Sequence, residues 1–69
     1  MPLTILIPGD DPIYAIGEPQ KTSRGLWIPT IAGKPAFLYL GEELTLIDEA
    51  FKAIVEAIAN KERYVYLFQ

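Results

Sequence analysis

The 69-residue sequence contains no cysteine and no histidine, and these absences exclude several kinds of site. Without cysteine there is no disulfide, no thiol nucleophile and no cysteine-ligated zinc or iron–sulfur cluster. Without histidine the commonest general base and the imidazole metal ligand are missing. A chain of this length forms a single small domain, residues 1–69, which usually needs a disulfide, a metal or a partner subunit for stability. We therefore expect either self-association or an unusually rich core.

Long apolar runs are also missing, since no stretch approaches the roughly 20 residues of a membrane helix. Residues 1–4 contain no basic residue of the kind that opens a secretory signal. These two features predict a cytoplasmic protein that is not bound to a membrane. The net charge is −3 and the isoelectric point is near 4.6, which is the wrong overall sign for bulk electrostatic binding of nucleic acid.

What the chain does contain is apolar and aromatic: 51% of its residues are hydrophobic, and it has one Trp, four Tyr and three Phe. This composition is too hydrophobic for a disordered segment. Short β-rich runs predict strands at residues 3–7 and 13–16, separated by a proline- and glycine-containing turn. The polar residues 20–25 are interpreted as a further turn.

The clearest local signal is a hairpin, with β-rich runs at residues 26–31 and 36–40 on either side of a short loop. Gly33 is the natural residue for a positive φ in that loop. Pro29 cannot donate a hydrogen bond to a ladder, so either the first strand lies at a sheet edge there or the ladder breaks at this residue.

A helix is predicted over residues 44–60, followed by a last strand at residues 63–68. Six apolar residues recur with helical spacing on one face: Ile47, Ala50, Phe51, Ile54, Val55 and Ile58. Thr45, with Asp48 three residues later, is the predicted N-cap, and Asn60 is the predicted C-terminal cap. The order β-β-β-β-α-β predicts an α+β domain in which a mainly antiparallel sheet of four or five strands packs on one α-helix.

One helix covers only one face of a sheet, yet these strands are apolar on both faces. The leftover surface is aromatic and consists of Trp27, Phe37, Tyr39, Tyr64, Tyr66 and Phe68. Because such surfaces usually mark an interface, we predict a homodimer that forms through strand edges or through the helix-free face. The alternative is that residues 3–16 fold over the second face and the aromatic residues belong to the core.

No constellation of residues is typical of an enzyme. Asp10 and Asp11 lie in a proline-flanked turn, and the acidic residues near residue 44 suit a helix N-terminus, so both groups are interpreted as structural. No hydroxyl has a base at a recognisable spacing, and the glycines form no phosphate loop. We therefore predict a non-enzymatic protein without a metal or a cofactor.

Two functional hypotheses remain. The first is a small regulatory module that binds a protein partner through the aromatic sheet face or through a strand edge, the last strand offering one. The second is binding of single-stranded nucleic acid, because every charged residue between positions 19 and 41 is basic and bases stack on aromatic rings beside cations. The residues of this second hypothesis are Lys21, Arg24, Trp27, Lys34, Phe37 and Tyr39.

Overall fold

The computed structural model describes residues 2–69, which form six strands and one helix. In chain order these are β1 (Leu3–Leu6), β2 (Ile13–Ala15), β3 (Gln20–Lys21), β4 (Gly25–Ile28), β5 (Ala36–Tyr39), α1 (Leu44–Ala59) and β6 (Tyr64–Tyr66). The α+β class predicted from the sequence is confirmed. Met1, which is part of the predicted domain 1–69, lies outside the described residues.

The strands form two sheets of three strands each, so the prediction of one sheet of four or five strands is wrong. The first sheet has the order β2-β1-β6, and the second sheet has the order β3-β4-β5. Both pairings in the second sheet are antiparallel, as is the pairing of β1 with β2. The β1–β6 pairing is parallel, because α1 carries the chain back before β6 begins.

Pro29 explains why the sheets are separate. After β4 the chain leaves β5 and passes beside β2, where the Ile16 N–H donates to the Pro29 carbonyl at 2.9 Å. Proline has no N–H with which to return that bond. The contact between the sheets is therefore an isolated bridge between Ala15 and Thr30. Of the two possibilities that Pro29 suggested, the break in the ladder is confirmed.

The predicted hairpin is confirmed, since β4 and β5 pair with Trp27 opposite Phe37, and Gly33 in the connecting loop has a φ of +89°. The segment predicted as a turn at residues 20–25 differs, because its first two residues form β3 and pair with β4. Residues 22–24 form the turn, and Gly25 begins β4. There the hydroxyl of Thr22 accepts hydrogen bonds from the N–H groups of Arg24 and Gly25.

Helix α1 packs against strands of both sheets with most of the predicted face. Its buried residues are Ile47, Ala50, Ile54 and Ala57. Phe51 and Ile58 are half-buried against this core, whereas Val55, which was predicted to share the face, does not pack on it. The prediction of Thr45 as the N-cap is wrong, since the helix begins at Leu44 and Glu43 is the capping residue, without a side-chain cap bond. The reason is the turn after β5, where Gly41 has a φ of +72° and the chain enters the helix early. Asn60 is the C-cap, as predicted.

The core lies between α1 and the helix-facing sides of the two sheets. The buried strand residues alternate with half-buried or exposed ones. The buried residues are Leu3, Ile5, Ala15, Leu26, Ile28 and Leu38, joined by Leu67 beyond β6. Residues 3–16 contribute to this core through β1 and β2 and do not cover the opposite face. The alternative in which this segment buries the aromatic residues is therefore wrong.

Candidate interaction surface

The side of each sheet that points away from α1, here called the outer face, carries most of the exposed aromatic residues. Side chains alternate across a strand, so residues next to buried ones point outward. In β4, for example, Leu26 and Ile28 are fully buried while Trp27 between them is 45% exposed. The same alternation exposes Tyr64 and Tyr66 around the half-buried Val65 in β6.

The outer face of the second sheet carries a cluster of Trp27, Phe37 and Tyr39, here called the hairpin cluster. The ring centroids of Trp27 and Phe37 are 4.7 Å apart, and those of Phe37 and Tyr39 are 6.5 Å apart. The cross-strand register places Trp27 directly opposite Phe37, which explains the shorter distance. The sequence-based grouping of these three residues is therefore found in the structure as one contact network.

The outer face of the first sheet carries a second cluster, here called the tyrosine cluster, of Tyr14, Tyr64 and Tyr66. Tyr64 and Tyr66 make an edge-to-face contact with ring centroids 5.4 Å apart. Thr4 of β1 pairs with Tyr14 of β2 on one side and with Tyr64 of β6 on the other. The register therefore places Tyr14, Thr4 and Tyr64 in one row across the sheet. All three tyrosines are about half exposed.

Phe68 does not continue the row of Tyr64 and Tyr66. Strand β6 ends at Tyr66, and Phe68 has a φ of +59°, which turns the chain. Phe68 instead lines a groove of about 180 Å³ together with Glu49 and Ala53 of α1, and Tyr66 contributes to the rim of the same groove. Of the six predicted interface residues, five lie on the outer face and Phe68 lies beside the helix.

The predicted interface residues did not include Tyr14, Ile16 and Ile31, which are exposed large apolar residues. Tyr14 and Ile16 flank the buried Ala15, and this alternation is the local signal that identifies their outward direction. Ile31 lies beside Tyr14, because the Ile31 N–H donates to the carbonyl of Tyr14 at 3.1 Å. That contact connects residues 17 positions apart in the chain and has no local sequence signal.

The three cations of the nucleic-acid hypothesis are not brought together. Lys21 pairs with the buried Leu26 and points to the helix side, where its Nζ lies 3.2 Å from Oδ1 of Asp48 and 4.9 Å from the ring centroid of Phe51. Arg24 lies in the turn before β4, and Lys34 lies in the loop after it, at opposite ends of the hairpin. The hairpin cluster is thus flanked by two separated cations, with the third behind it.

The outer face is uncharged. Among the residues of the six strands Lys21 is the only charged one, and it points toward α1. The outward positions are occupied by aromatic, aliphatic and small polar residues. Such a surface offers apolar area and hydroxyl groups to a ligand, and no strand residue on it supplies an ionic contact.

Another groove lies elsewhere, near the end of α1, and has a volume of about 380 Å³. It is lined mainly by apolar residues, among them Leu3, Ala15 and Ile58, with Lys61 and Glu62 also in its wall. Within residues 2–69 no group of three or more carboxylates is placed to hold a metal ion. Across the same residues, no helix has the length and apolarity to cross a membrane.

Together these features define a small α+β protein in which one helix packs against strands of two short sheets and the outer face is uncharged and aromatic. Comparison of the chain with protein-family models, with curated proteins and with solved structures found no match.

Proposed function

We propose that this protein is a small, non-enzymatic protein-interaction module that forms a homodimer and acts through its outer face. The observation that carries the proposal is the set of exposed aromatic residues on that face, which alternate along the strands with residues of the core. A monomer gains nothing in stability from presenting large aromatic rings to water, whereas a partner that covers them removes apolar area from solvent.

The composition of the outer face favours a protein as the partner. The central parts of protein–protein interfaces are enriched in Tyr, Trp and Phe and depleted in charged residues. The hairpin cluster and the tyrosine cluster both have this composition. Trp and Tyr are also the residues that most often dominate binding energy, because each buries a large rigid area at a small loss of side-chain entropy.

The placement of the cations gives less support to single-stranded nucleic acid as the ligand. Lys21 is engaged with Asp48 on the opposite side of the sheet, so Arg24 and Lys34 alone border the hairpin cluster. Phosphate contacts supply most of the affinity for nucleic acid, and two separated cations on a chain of net charge −3 provide few of them.

The homodimer is tested by sedimentation equilibrium over a wide concentration range. We expect the mass to approach twice 7.7 kDa as the concentration rises. A double variant, Tyr64→Ser with Tyr66→Ser, is expected to shift the equilibrium toward the monomer, because it removes two half-exposed rings of the tyrosine cluster.

Leu44→Ser is the matched control for this experiment. Leu44 is 66% exposed, more than either tyrosine, but it lies at the start of α1 and outside the outer face. Its loss is expected to leave the mass unchanged at every concentration. A wild-type mass of 7.7 kDa throughout the range would contradict the homodimer.

A further inference from the structure

We infer that two copies of the chain pair through their β6 strands, antiparallel and centred on Val65, and that Arg63 of each copy forms an ion pair with Glu49 of the other. The inference rests on the proposed homodimer and identifies where its two copies meet. It also leaves the hairpin cluster free for another protein.

The outer edge of β6 is unpaired. This strand is the last in the first sheet, and its bonds go to β1: Thr4 N–H donates to the Arg63 carbonyl, and Leu67 N–H donates to the Leu6 carbonyl, both at 2.9 Å. In a parallel pair, alternate residues direct their backbone groups to the neighbouring strand. The backbone groups of Tyr64 and Tyr66 therefore point away from β1.

Apart from its length of three residues, this edge lacks the features that usually prevent pairing with another chain. Edge strands are commonly protected by charged residues, proline, bulges or very short length. Residues 64–69 contain no charged residue, no proline and no glycine. In the second sheet, β3 is two residues long and carries Lys21, and β5 is preceded directly by Pro35 and followed closely by the turn at Gly41.

Symmetry selects one register for this pairing. In a two-fold symmetric pair, if a residue of the first copy contacts a given residue of the second copy, the reverse contact is also present. When the axis passes Val65, Tyr64 of one copy faces Tyr66 of the other, and all outward N–H and C=O groups of the two strands form four hydrogen bonds. If the axis passes any other residue, Tyr64 of one copy no longer faces Tyr66 of the other. The four rings then lie together on the outer face as cross-strand pairs.

The same register brings opposite charges together on the helix side. Arg63 then faces Leu67 of the second copy, and both side chains share the side of Val65 by alternation. Leu67 lines the groove that also contains Glu49 of α1, so the guanidinium of Arg63 reaches the groove beside that carboxylate. Within residues 2–69 of a single copy the only ion pair is Lys21 with Asp48, so neither Arg63 nor Glu49 has a charged partner there. The two-fold axis produces this pair twice.

The interface is small, and this determines how it is measured. A standard stable interface buries about 800 Å² on each partner, while the whole surface of one copy measures 4855 Å². A three-residue strand edge with its tyrosines lies at the lower end of interface sizes. We therefore expect a reversible dimer that dissociates on dilution, so that its dissociation constant is directly measurable by sedimentation equilibrium.

A charge exchange tests the ion pair. Arg63→Glu alone and Glu49→Arg alone are each expected to raise the dimer dissociation constant about ten-fold, because two attractive pairs become repulsive. The double variant with both substitutions restores the pairs and is expected to return the constant to near the wild-type value. Both residues are exposed, so circular dichroism is expected to show the wild-type fold in all three variants.

A proline substitution tests the strand edge. Tyr66→Pro removes an outward N–H without removing a bond to β1, and it is expected to abolish the dimer. Phe37→Pro in β5 is the matched control. The Leu40 N–H donates to the Arg24 carbonyl, and residues that bond to β4 alternate along β5. The N–H of Phe37 therefore points away from β4, as the N–H of Tyr66 points away from β1. It is expected to leave the mass of the dimer unchanged.

The outcomes separate this inference from the proposed function. A dimer that persists in Tyr66→Pro, dissociates in Phe37→Pro or fails to recover in the double charge variant would overturn the β6 pairing while leaving the homodimer intact. A wild-type chain that remains monomeric at all concentrations would overturn both. If Tyr66→Pro fails to fold, the charge exchange alone decides the inference.

Discussion

At Gly25 the first strand of the hairpin passes so close to the second that no side chain fits between them. A Cβ at this position would collide with the carbonyl oxygen of Leu38 and would lie 3.2 Å from the amide nitrogen of Leu40. We expect Gly25→Ala to lower the free energy of unfolding by about 3 kcal/mol, since backbone atoms rather than a flexible side chain must move. Urea denaturation monitored by circular dichroism measures this loss.

Gly33→Ala is the matched control for the Gly25 variant. Gly33 has a φ of +89°, but a Cβ there would meet no atom within 4 Å. The expected loss is about 1 kcal/mol, which is the conformational penalty for a left-handed alanine. Equal stability of the two variants would show that close strand contact is not what requires glycine at residue 25.

For the single residue Lys21, the sequence did not determine the direction in which the side chain points. The sequence groups it with Arg24, Lys34 and the aromatic residues of the hairpin, because all lie within one stretch. Its actual direction depends on the pairing of β3 with β4, which places it opposite the buried Leu26 and within reach of Asp48, 27 positions away. A two-residue strand is too short for a periodic pattern to predict its faces.

Among the elements, the end of α1 has one residue that is poorly suited to its conformation. Lys61 has a φ of 55°, its N–H donates to the carbonyl of Ile58, and the N–H of Glu62 donates to the carbonyl of Ala57. This is the hydrogen-bond pattern of a Schellman cap, in which glycine is usual at the left-handed position. We expect Lys61→Gly to raise the free energy of unfolding by about 1 kcal/mol in urea denaturation.

Lys52→Gly is the control for the Lys61 variant, because it makes the same substitution in the middle of the helix. There glycine is expected to lower the free energy of unfolding by about 1 kcal/mol. A loss of stability in both variants would contradict the role assigned to the left-handed conformation at Lys61.

The two ends of α1 were not equally predictable. Asn60 was identified correctly because a polar residue follows the last turn of the apolar periodicity. Thr45 was not the N-cap, although its residue type favours that position. The start of a helix also depends on the conformation of the preceding loop. Here the turn at Gly41 starts the helix at Leu44, so Glu43 is the N-cap.

For the whole molecule, the distribution of charge predicts how it responds to nucleic acid. We expect a single-stranded oligonucleotide at low salt to leave the fluorescence of Trp27 unchanged, since Lys21 is turned away and the net charge is −3. Acrylamide, a neutral quencher, is the control: it is expected to quench Trp27, which is 45% exposed. Saturable quenching by the oligonucleotide that weakens as salt rises would instead support the nucleic-acid hypothesis.

Local patterns in the sequence were sufficient for the helix, for the hairpin and for the surplus of aromatic residues. Each depends on residues close together in the chain: the helical spacing from Ile47 to Ile58, the turn at Gly33 and the alternation around Val65. Periodicity records which residues share a side of their own element, and that relation does not depend on the rest of the fold.

Only the tertiary structure established how these elements combine. The division into two sheets at Pro29, the parallel pairing of β1 with β6 and the row that joins Tyr14 to Tyr64 across Thr4 all connect distant parts of the chain. Such contacts depend on which strands come together when one helix covers both sheets, and no local pattern encodes that choice.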